Sequence, residues 1–171
     1  MNRLIGQVAD FDSTRLQKEP VGMVFYINAY NLLVIKSVVD AYPMSSPQAV
    51  GGDKKKHRVA GELYTLNQFE NSVLREKFDD SRVHFALVCA AKRCPPLSKE
   101  AFTPARLDSQ LNQFTRRVLN DRIFVQVGAE KRVAHLSQIF QWYQKDFIQT
   151  QNTVIDFIDR FREEKIPADF S

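Results

Sequence analysis

Residues 21–42 read VGMVFYINAYNLLVIKSVVDAY and form the longest apolar stretch of the chain. An apolar run of this length is typical of a helix that is buried in the interior of a protein. Pro43 follows it directly, and proline cannot continue a helix because it lacks an amide hydrogen and clashes with the preceding turn. We therefore predict a buried central helix over residues 21–42.

Two amides lie inside this apolar helix. Asn28 and Asn31 are three residues apart, so they share one face of the helix. A buried amide that lacks hydrogen-bond partners costs about 1–3 kcal/mol, so both side chains need partners. They either clamp a neighbouring loop or point a carboxamide into a binding site, and we carry both residues forward as candidate binding residues.

A second stretch, SRVHFALVCAAKRCPPL at residues 81–97, holds both cysteines of the chain and one of its three histidines, His84. Its apolar residues 85–88 lie between charged neighbours, which is typical of a buried strand or a short buried helix. We expect residues 83–89 to pack beside the central helix. The stretch also concentrates most of the residue types that carry chemistry in this chain.

Cys94 is the candidate reactive residue of this stretch. Pro95 and Pro96 keep the backbone at Cys94 extended and stiff, and the preceding Lys92 and Arg93 favour a thiolate there. Cys89 ends the apolar run and has the character of a core thiol. If the stretch performs chemistry, we expect it at Cys94.

The remaining pattern predicts an α+β fold in which helices dominate and the strands form two small hairpins. Thr65 and Gln68 match a helix capping box, and Thr103 followed by Pro104 is a favourable helix start. We predict a single domain over residues 1–171. The expected helices cover 2–16, 66–78, 103–120, 137–148 and 153–162, and the expected strands cover 57–61, 62–66, 122–127 and 132–136.

Composition narrows the function classes. The 171 residues are 44% hydrophobic and 26% charged, with a formal charge of +4. Cations cluster once, at residues 54–58, and we interpret this cluster as an exposed, mobile loop, which gives no reason to expect a nucleic-acid partner. The N-terminus lacks the apolar core of a secretory signal, and we expect no membrane-spanning segment in a soluble chain. The sequence indicates no cofactor.

The chain resembles the domain of unknown function 547 family. The resemblance covers about residues 21–147 and rests on FYINAYNLLVI (25–35), AGELYTLNQFENSVLR (60–75), SRVHFALVCAAKRCPPL (81–97) and LSQIFQWYQKDF (136–147). It implies relatives that are bacterial and often exported, or plant proteins that carry the domain at their C-terminus. It implies an uncharacterised domain, and localisation stays open.

The sequence departs from the family pattern at three places. Asn71 stands where the family commonly has histidine after the glutamate that is Glu70 here, and Ala90-Ala91 replaces glycine-alanine after the first cysteine. The usual N-terminal extension is not in the sequence given. We therefore expect Met1 to be an internal or annotated start, which leaves export undecided.

One interpretation of these residues is a cysteine-dependent hydrolase or acyltransferase acting on a peptide or a small molecule. Cys94 attacks, His84 is the general base and Glu70 orients His84, a set of residue types that the resemblance implies at these positions. The fold is then papain-like or transglutaminase-like, although the order Glu, His, Cys is rearranged relative to the usual Cys, His, acid.

Two other interpretations of the cysteines stay open. His84, Cys89 and Cys94, with His57 or Glu70, could ligate a metal, but structural zinc sites use tighter cysteine pairs and four ligands, so we predict no metal site. Alternatively, Cys89 and Cys94 form a structural disulfide. With such a disulfide, or with a metal site, the chain is a non-catalytic binding or interaction module that uses its central helix and basic loop to present a peptide groove.

Four residues near the C-terminus complete the candidates. His135 is expected to bond across the second hairpin. Trp142 is a candidate binding residue in an aromatic and acidic wall with Tyr143 and Asp146, although aromatic residues at helical spacing usually belong to a core. A buried Asp146 needs a partner, which we expect to be Arg75 or Arg82.

Overall fold

The computed structural model describes residues 1–43, 54–89, 94–128, 130, 132–149 and 151–170. Residues 44–53, which follow Pro43, lie outside the described residues. So do Ala90, Ala91, Lys92 and Arg93, and with them the expected influence of the two cations on Cys94.

The described elements follow in the order α1 (Asn2–Ala9), α2 (Val21–Ala41), β1 (Lys56–Val59), β2 (Glu62–Thr65), α3 (Leu66–Gln68), α4 (Val83–Ala86), α5 (Leu107–Leu119), β3 (Val125–Gly128), β4 (Val133–Leu136), α6 (Ile139–Trp142), α7 (Gln144–Ile148) and α8 (Val154–Phe161). A π-helical segment, Phe69–Arg75, continues α3, and short 3-10 turns cover Ser13–Leu16 and Pro104–Arg106. The protein is a mostly helical α+β protein, as the sequence predicts.

The chain forms two compact units. The first contains Met1–Asp79 and Ala86–Leu107, and the second contains Asp80–Phe85 and Asp108–Ser171. Each unit holds one two-stranded antiparallel sheet, β1–β2 in the first and β3–β4 in the second. The single domain over residues 1–171 stays a prediction.

Helix α2 is the centre of the first unit. More than half of its 21 residues are buried, including Ile27, Ala29 and Leu33 at 1% exposure or less. Gly22 lets the backbone of Leu16 approach the start of α2 closely, because a Cβ at this position would lie 2.5 Å from the Leu16 carbonyl oxygen. The predicted buried central helix is therefore present, with Ala41 as its last residue.

Helix α2 also bears on the prediction that the chain has no membrane-spanning segment. Among the described residues, α2 alone is long and apolar enough to cross a membrane by length and composition, with a mean hydropathy of 1.4. The buried share of that window is 61%, and the core helix of a soluble protein meets the same criteria. Its length and apolarity are therefore weak evidence for a membrane span.

The first hairpin corrects the prediction of a loop at residues 54–58. Lys56 begins β1, which pairs with β2 through a turn where Ala60 and Gly61 both have positive φ, at 48° and 90°. Such a turn matches the twist of a hairpin. The amides of Ala60 and Gly61 donate to the carbonyls of Val8 and Ala9 at 2.9 and 2.8 Å, so the turn caps the end of α1.

The helix after this hairpin begins as predicted. The Thr65 hydroxyl accepts from the Gln68 amide at 3.1 Å, and the Gln68 side chain accepts from the Thr65 amide at 3.0 Å, which completes the capping box. After Gln68 the helix widens to π geometry through Arg75. Glu70 lies in this segment.

Two predicted helices are shorter than expected. The N-terminal helix ends at Ala9, and Asp12 then caps a separate 3-10 turn by accepting from the Thr14 amide at 3.0 Å. The predicted helix over 137–148 is divided at Tyr143, whose φ of −114° and ψ of 26° are not helical. In both cases the apolar period continues across the break, so periodicity alone does not reveal it.

The second unit has an aromatic core. Phe85, Phe140, Phe147, Phe157 and Phe161 are each at most 5% exposed, and their ring centroids lie 4.9–6.2 Å apart in successive pairs. Phe85 also belongs to the short helix α4. The apolar residues 85–88 of the stretch that holds both cysteines thus begin in a helix and not in a strand.

Candidate functional site

The two cysteines form a disulfide. The Cα atoms of Cys89 and Cys94 lie 5.7 Å apart, within the usual range for bridged residues. Cys89 is exposed and Cys94 is half-buried. The sequence leaves a reactive thiol, a metal ligand and a disulfide open, and the disulfide is the arrangement that the structure contains.

The disulfide also bears on the metal interpretation. Metal ligation by cysteine requires a thiolate, and a bridged sulfur is not one. Across the part of the chain that the structure describes, no group of three or more histidine, cysteine, aspartate or glutamate side chains is arranged to hold a metal ion.

His84 is buried in the second unit and pairs with an aspartate. Its Nε2 lies 2.8 Å from Oδ2 of Asp146 on α7, and its ring stacks on Tyr143 with centroids 4.0 Å apart. The partner seen for Asp146 is His84. Arg82, one of the two expected partners, contacts Asp80 at 2.6 Å and Asp108 at 2.7 Å, and these carboxylates raise the pKa of its guanidinium. The expected pairing of Asp146 with Arg75 stays a prediction.

Glu70 belongs to the first unit and is half-buried. Its Oε2 accepts a hydrogen bond from the hydroxyl of the buried Tyr30 at 2.8 Å. Glu70 lies in the π-helical segment, a geometry that often occurs at functional sites. The partners seen for the three predicted catalytic residues Cys94, His84 and Glu70 are thus Cys89, Asp146 and Tyr30.

Asn28 and Asn31 fasten two backbone segments to α2. The Asn28 amide donates to the Phe102 carbonyl at 2.9 Å, and its oxygen accepts from the Phe102 amide at 3.0 Å. Asn31 bonds in the same way to the Ala86 carbonyl at 2.9 Å and the Val88 amide at 3.0 Å. These are the contacts of a loop clamp.

Trp142 and His135 both lie in the second unit. Trp142 ends α6 and is 67% exposed. His135 is exposed on β4, opposite Gln126 on β3, which places it in the returning strand as predicted.

The first unit contains a cavity of about 590 Å³. Three walls form it: Leu4, Val8 and Phe11 from and just after α1, one side of α2 from Val21 to Ile35, and residues 97–104. Leu4 and Leu97 are 52% and 48% exposed, so the cavity opens to solvent. Its volume is within the 300–1,000 Å³ of ordinary ligand pockets.

Both asparagine clamps help to build the cavity. Asn28 holds Phe102, and therefore the third wall, against α2. At the other end of that wall, the disulfide joins Cys94 to Cys89, next to the Val88 amide that Asn31 holds. The candidate binding residues Asn28 and Asn31 line the cavity, but their amides are occupied by backbone partners.

The sequence contains one signal for this cavity. Residues 4, 5 and 8 make an apolar face on α1 and Phe11 follows the helix, yet α1 has no buried residue. An amphipathic helix usually buries such a face. Here part of it faces an open cavity, which the sequence pattern cannot distinguish from a core.

A comparison with family models matches residues 15–119 to the family described as "Protein of unknown function, DUF547". The chain belongs to this family. No curated protein and no solved structure matches the chain.

The DUF547 match includes α2, Glu70, the cysteine stretch and residues 97–104. Two walls of the cavity therefore lie in the family region, and the α1 wall precedes it. Asp146 and Trp142 follow it.

Proposed function

We propose that this DUF547 chain is a binding module whose first unit takes an elongated apolar molecule in the cavity, with the Cys89–Cys94 disulfide in a structural role. The observation that carries the proposal is the apolar cavity of about 590 Å³ against α1 and α2. The occupied sulfur of Cys94 supports a binding role over a catalytic one.

The shape of the cavity favours a chain-like ligand. Its lining on α2 extends from Val21 to Ile35, which is about 21 Å at 1.5 Å per residue. A lining of this length along one helix matches a chain-like molecule.

The lining also disfavours an extended peptide. Every peptide unit needs partners for its amide and carbonyl when it leaves water. The lining amides of Asn28 and Asn31 are already engaged with Phe102, Ala86 and Val88. An alkyl chain has no such requirement, and each buried methylene contributes about 0.8 kcal/mol.

The experiment uses the whole chain and the neutral fluorophore N-phenyl-1-naphthylamine. We expect saturable fluorescence enhancement that linear alcohols reverse. Affinity should rise about fourfold per methylene between hexanol and decanol, which is the effect of about 0.8 kcal/mol per methylene. Absence of saturable binding would overturn the proposal.

A matched pair of variants locates the site. Leu4 lines the cavity and Leu63 on β2 does not, yet they are 52% and 59% exposed. Leu4→Asp places a charge against the bound chain and should weaken probe binding about tenfold or more. Leu63→Asp should leave it unchanged, and equal losses in the two variants would place the probe elsewhere.

The cysteine-hydrolase interpretation stays a prediction for the reduced protein. It requires a free Cys94 thiol, because the thiolate is the nucleophile. The buried His84 pairs with Asp146, and a histidine oriented by a carboxylate can act as a general base. In this arrangement the acidic partner of His84 is Asp146 instead of Glu70.

A further inference from the structure

We infer that the ligand of this cavity carries an anionic head group, which Lys99 binds at the third wall; the inference rests on the proposed binding function. The ligand class is then a single-chain amphiphile with a carboxylate or a comparable anion. Lys99 is the one cationic residue that lines the cavity among the described residues.

The polar groups of the lining are mostly engaged. Asn28 and Asn31 bond to backbone, and the Ser98 hydroxyl donates to the Glu100 carbonyl. Glu100 pairs with Arg106 at 2.7 Å, which neutralises the one carboxylate among the described lining residues. The anionic head group of a ligand at this wall is therefore not repelled by an unpaired Glu100 carboxylate.

Lys99 is available for a ligand. It is exposed, and within the described residues it forms no ion pair. Its four-carbon stem can lie along the apolar wall while the ammonium group stays in water at the opening. That arrangement suits a ligand whose chain is buried and whose charged end remains partly hydrated.

Gln7 on α1 is a further polar residue of the lining. Its amide can donate to an anion, as the ammonium group of Lys99 does. No lining residue offers an unpaired carboxylate among those described, so a cationic head group has no counterpart in this cavity. The charge of the lining therefore selects for anions.

The test compares three ligands with the same chain: dodecanoate, dodecanol and dodecylammonium. Each displaces N-phenyl-1-naphthylamine from the whole protein at low salt and about pH 8. The readout is the ratio of displacement constants for dodecanoate and dodecanol. Comparing this ratio between variants cancels the different hydration of the two compounds.

Lys99→Gln is the test variant, and Lys56→Gln is the matched control, because Lys56 is an exposed lysine on β1 that does not line the cavity. We expect Lys99→Gln to reduce the preference for dodecanoate about fivefold, as the loss of an exposed ion pair does. Dodecanol should bind unchanged and dodecylammonium more tightly, and Lys56→Gln should retain the wild-type ratio.

The outcomes separate the two proposals. An unchanged ratio in Lys99→Gln, or the same loss in Lys56→Gln, overturns the assignment of the head group while displacement by dodecanol still supports the binding function. Failure of all three ligands to displace the probe overturns both.

Discussion

Asn31 shows how one side chain positions a distant segment. It is 7% exposed, and both ends of its amide are bonded to backbone 55 and 57 residues away. Residues 25–35, which carry part of the family resemblance, include Asn31. The backbone groups that bond to Asn31 follow from the tertiary fold alone.

We expect Asn31→Ala to lower the free energy of unfolding by about 2–4 kcal/mol. The substitution leaves the buried Ala86 carbonyl and the part-buried Val88 amide without this partner, and an unsatisfied buried group costs about 1–3 kcal/mol. Urea denaturation measures the change. Asn67→Ala, at an exposed position of α3, is the control and should stay within about 0.5 kcal/mol. A loss of similar size in both variants would contradict the clamp.

Cys94 gives a second prediction for a single residue. We expect no alkylation of the native protein by iodoacetamide, and similar labelling rates at Cys89 and Cys94 after reduction, because the disulfide is structural. Intact-mass and peptide mass spectrometry give the rates, with Cys89→Ser and Cys94→Ser as reciprocal controls.

The hydrolase prediction expects a different result. An activated thiolate at Cys94 would label about tenfold faster than Cys89, and His84→Ala would remove most of that difference. Rates for the two cysteines that agree within about twofold would remove Cys94 as a nucleophile. A fast Cys94 would contradict a purely structural disulfide.

At the scale of elements, the first hairpin combines cations with a partly buried histidine. His57 lies on β1, and its Nε2 is buried without a hydrogen bond in the described structure. Burial, followed by the charge of Lys55, lowers the pKa of His57 below the 6.5 of an exposed histidine. Since the unfolded chain binds the proton more readily, this hairpin is more stable at a pH above 6.5.

We therefore expect the thermal stability of the protein to fall as the pH drops from about 7.5 to about 5.5, and His57→Gln to reduce that fall. The sign follows from the lowered pKa: the contribution is complete above the unfolded pKa and is lost as the pH falls through the folded one. Thermal melts across this range measure it.

The control for this prediction is His135→Gln, at an exposed position on the other hairpin. It should keep the wild-type response to pH. If His57→Gln and the wild type respond alike, the environment of His57 does not control the pH dependence.

At the scale of the whole molecule, the disulfide closes a loop of six residues. In the chain-entropy model such a loop stabilises a protein by about 2 kcal/mol. The same bond holds the start of the segment that forms the third wall of the cavity, while Asn28 holds Phe102. Reduction of the disulfide should therefore change both the stability of the protein and its ligand binding.

We expect reduction by a phosphine to lower the free energy of unfolding by about 2 kcal/mol and to weaken N-phenyl-1-naphthylamine binding. Urea denaturation and fluorescence titration, each with and without reductant, measure the two effects. The double variant Cys89→Ala, Cys94→Ala should have the free energy of unfolding and the probe affinity of the reduced protein. Neither quantity should change in this variant when reductant is added. Unchanged stability on reduction would show that the bond does not constrain the chain.

Features set by neighbouring residues could be predicted from the sequence. The apolar run of α2, the stop before Pro43, the Thr65–Gln68 capping box and both hairpins depend on residues within a few positions of one another. Local sterics, capping bonds and hydrophobic periodicity determine such features. The α+β class follows from them.

Tertiary structure decided the partners and the cavity. The bond from Asn28 to Phe102 spans 74 residues, and that from His84 to Asp146 spans 62. Residue spacing does not encode such pairings, because they depend on how whole helices pack. The sequence by itself determined α2, the capped start of α3 and the two hairpins, while packing decided that Asp146 meets His84 and that the apolar face of α1 lines a cavity.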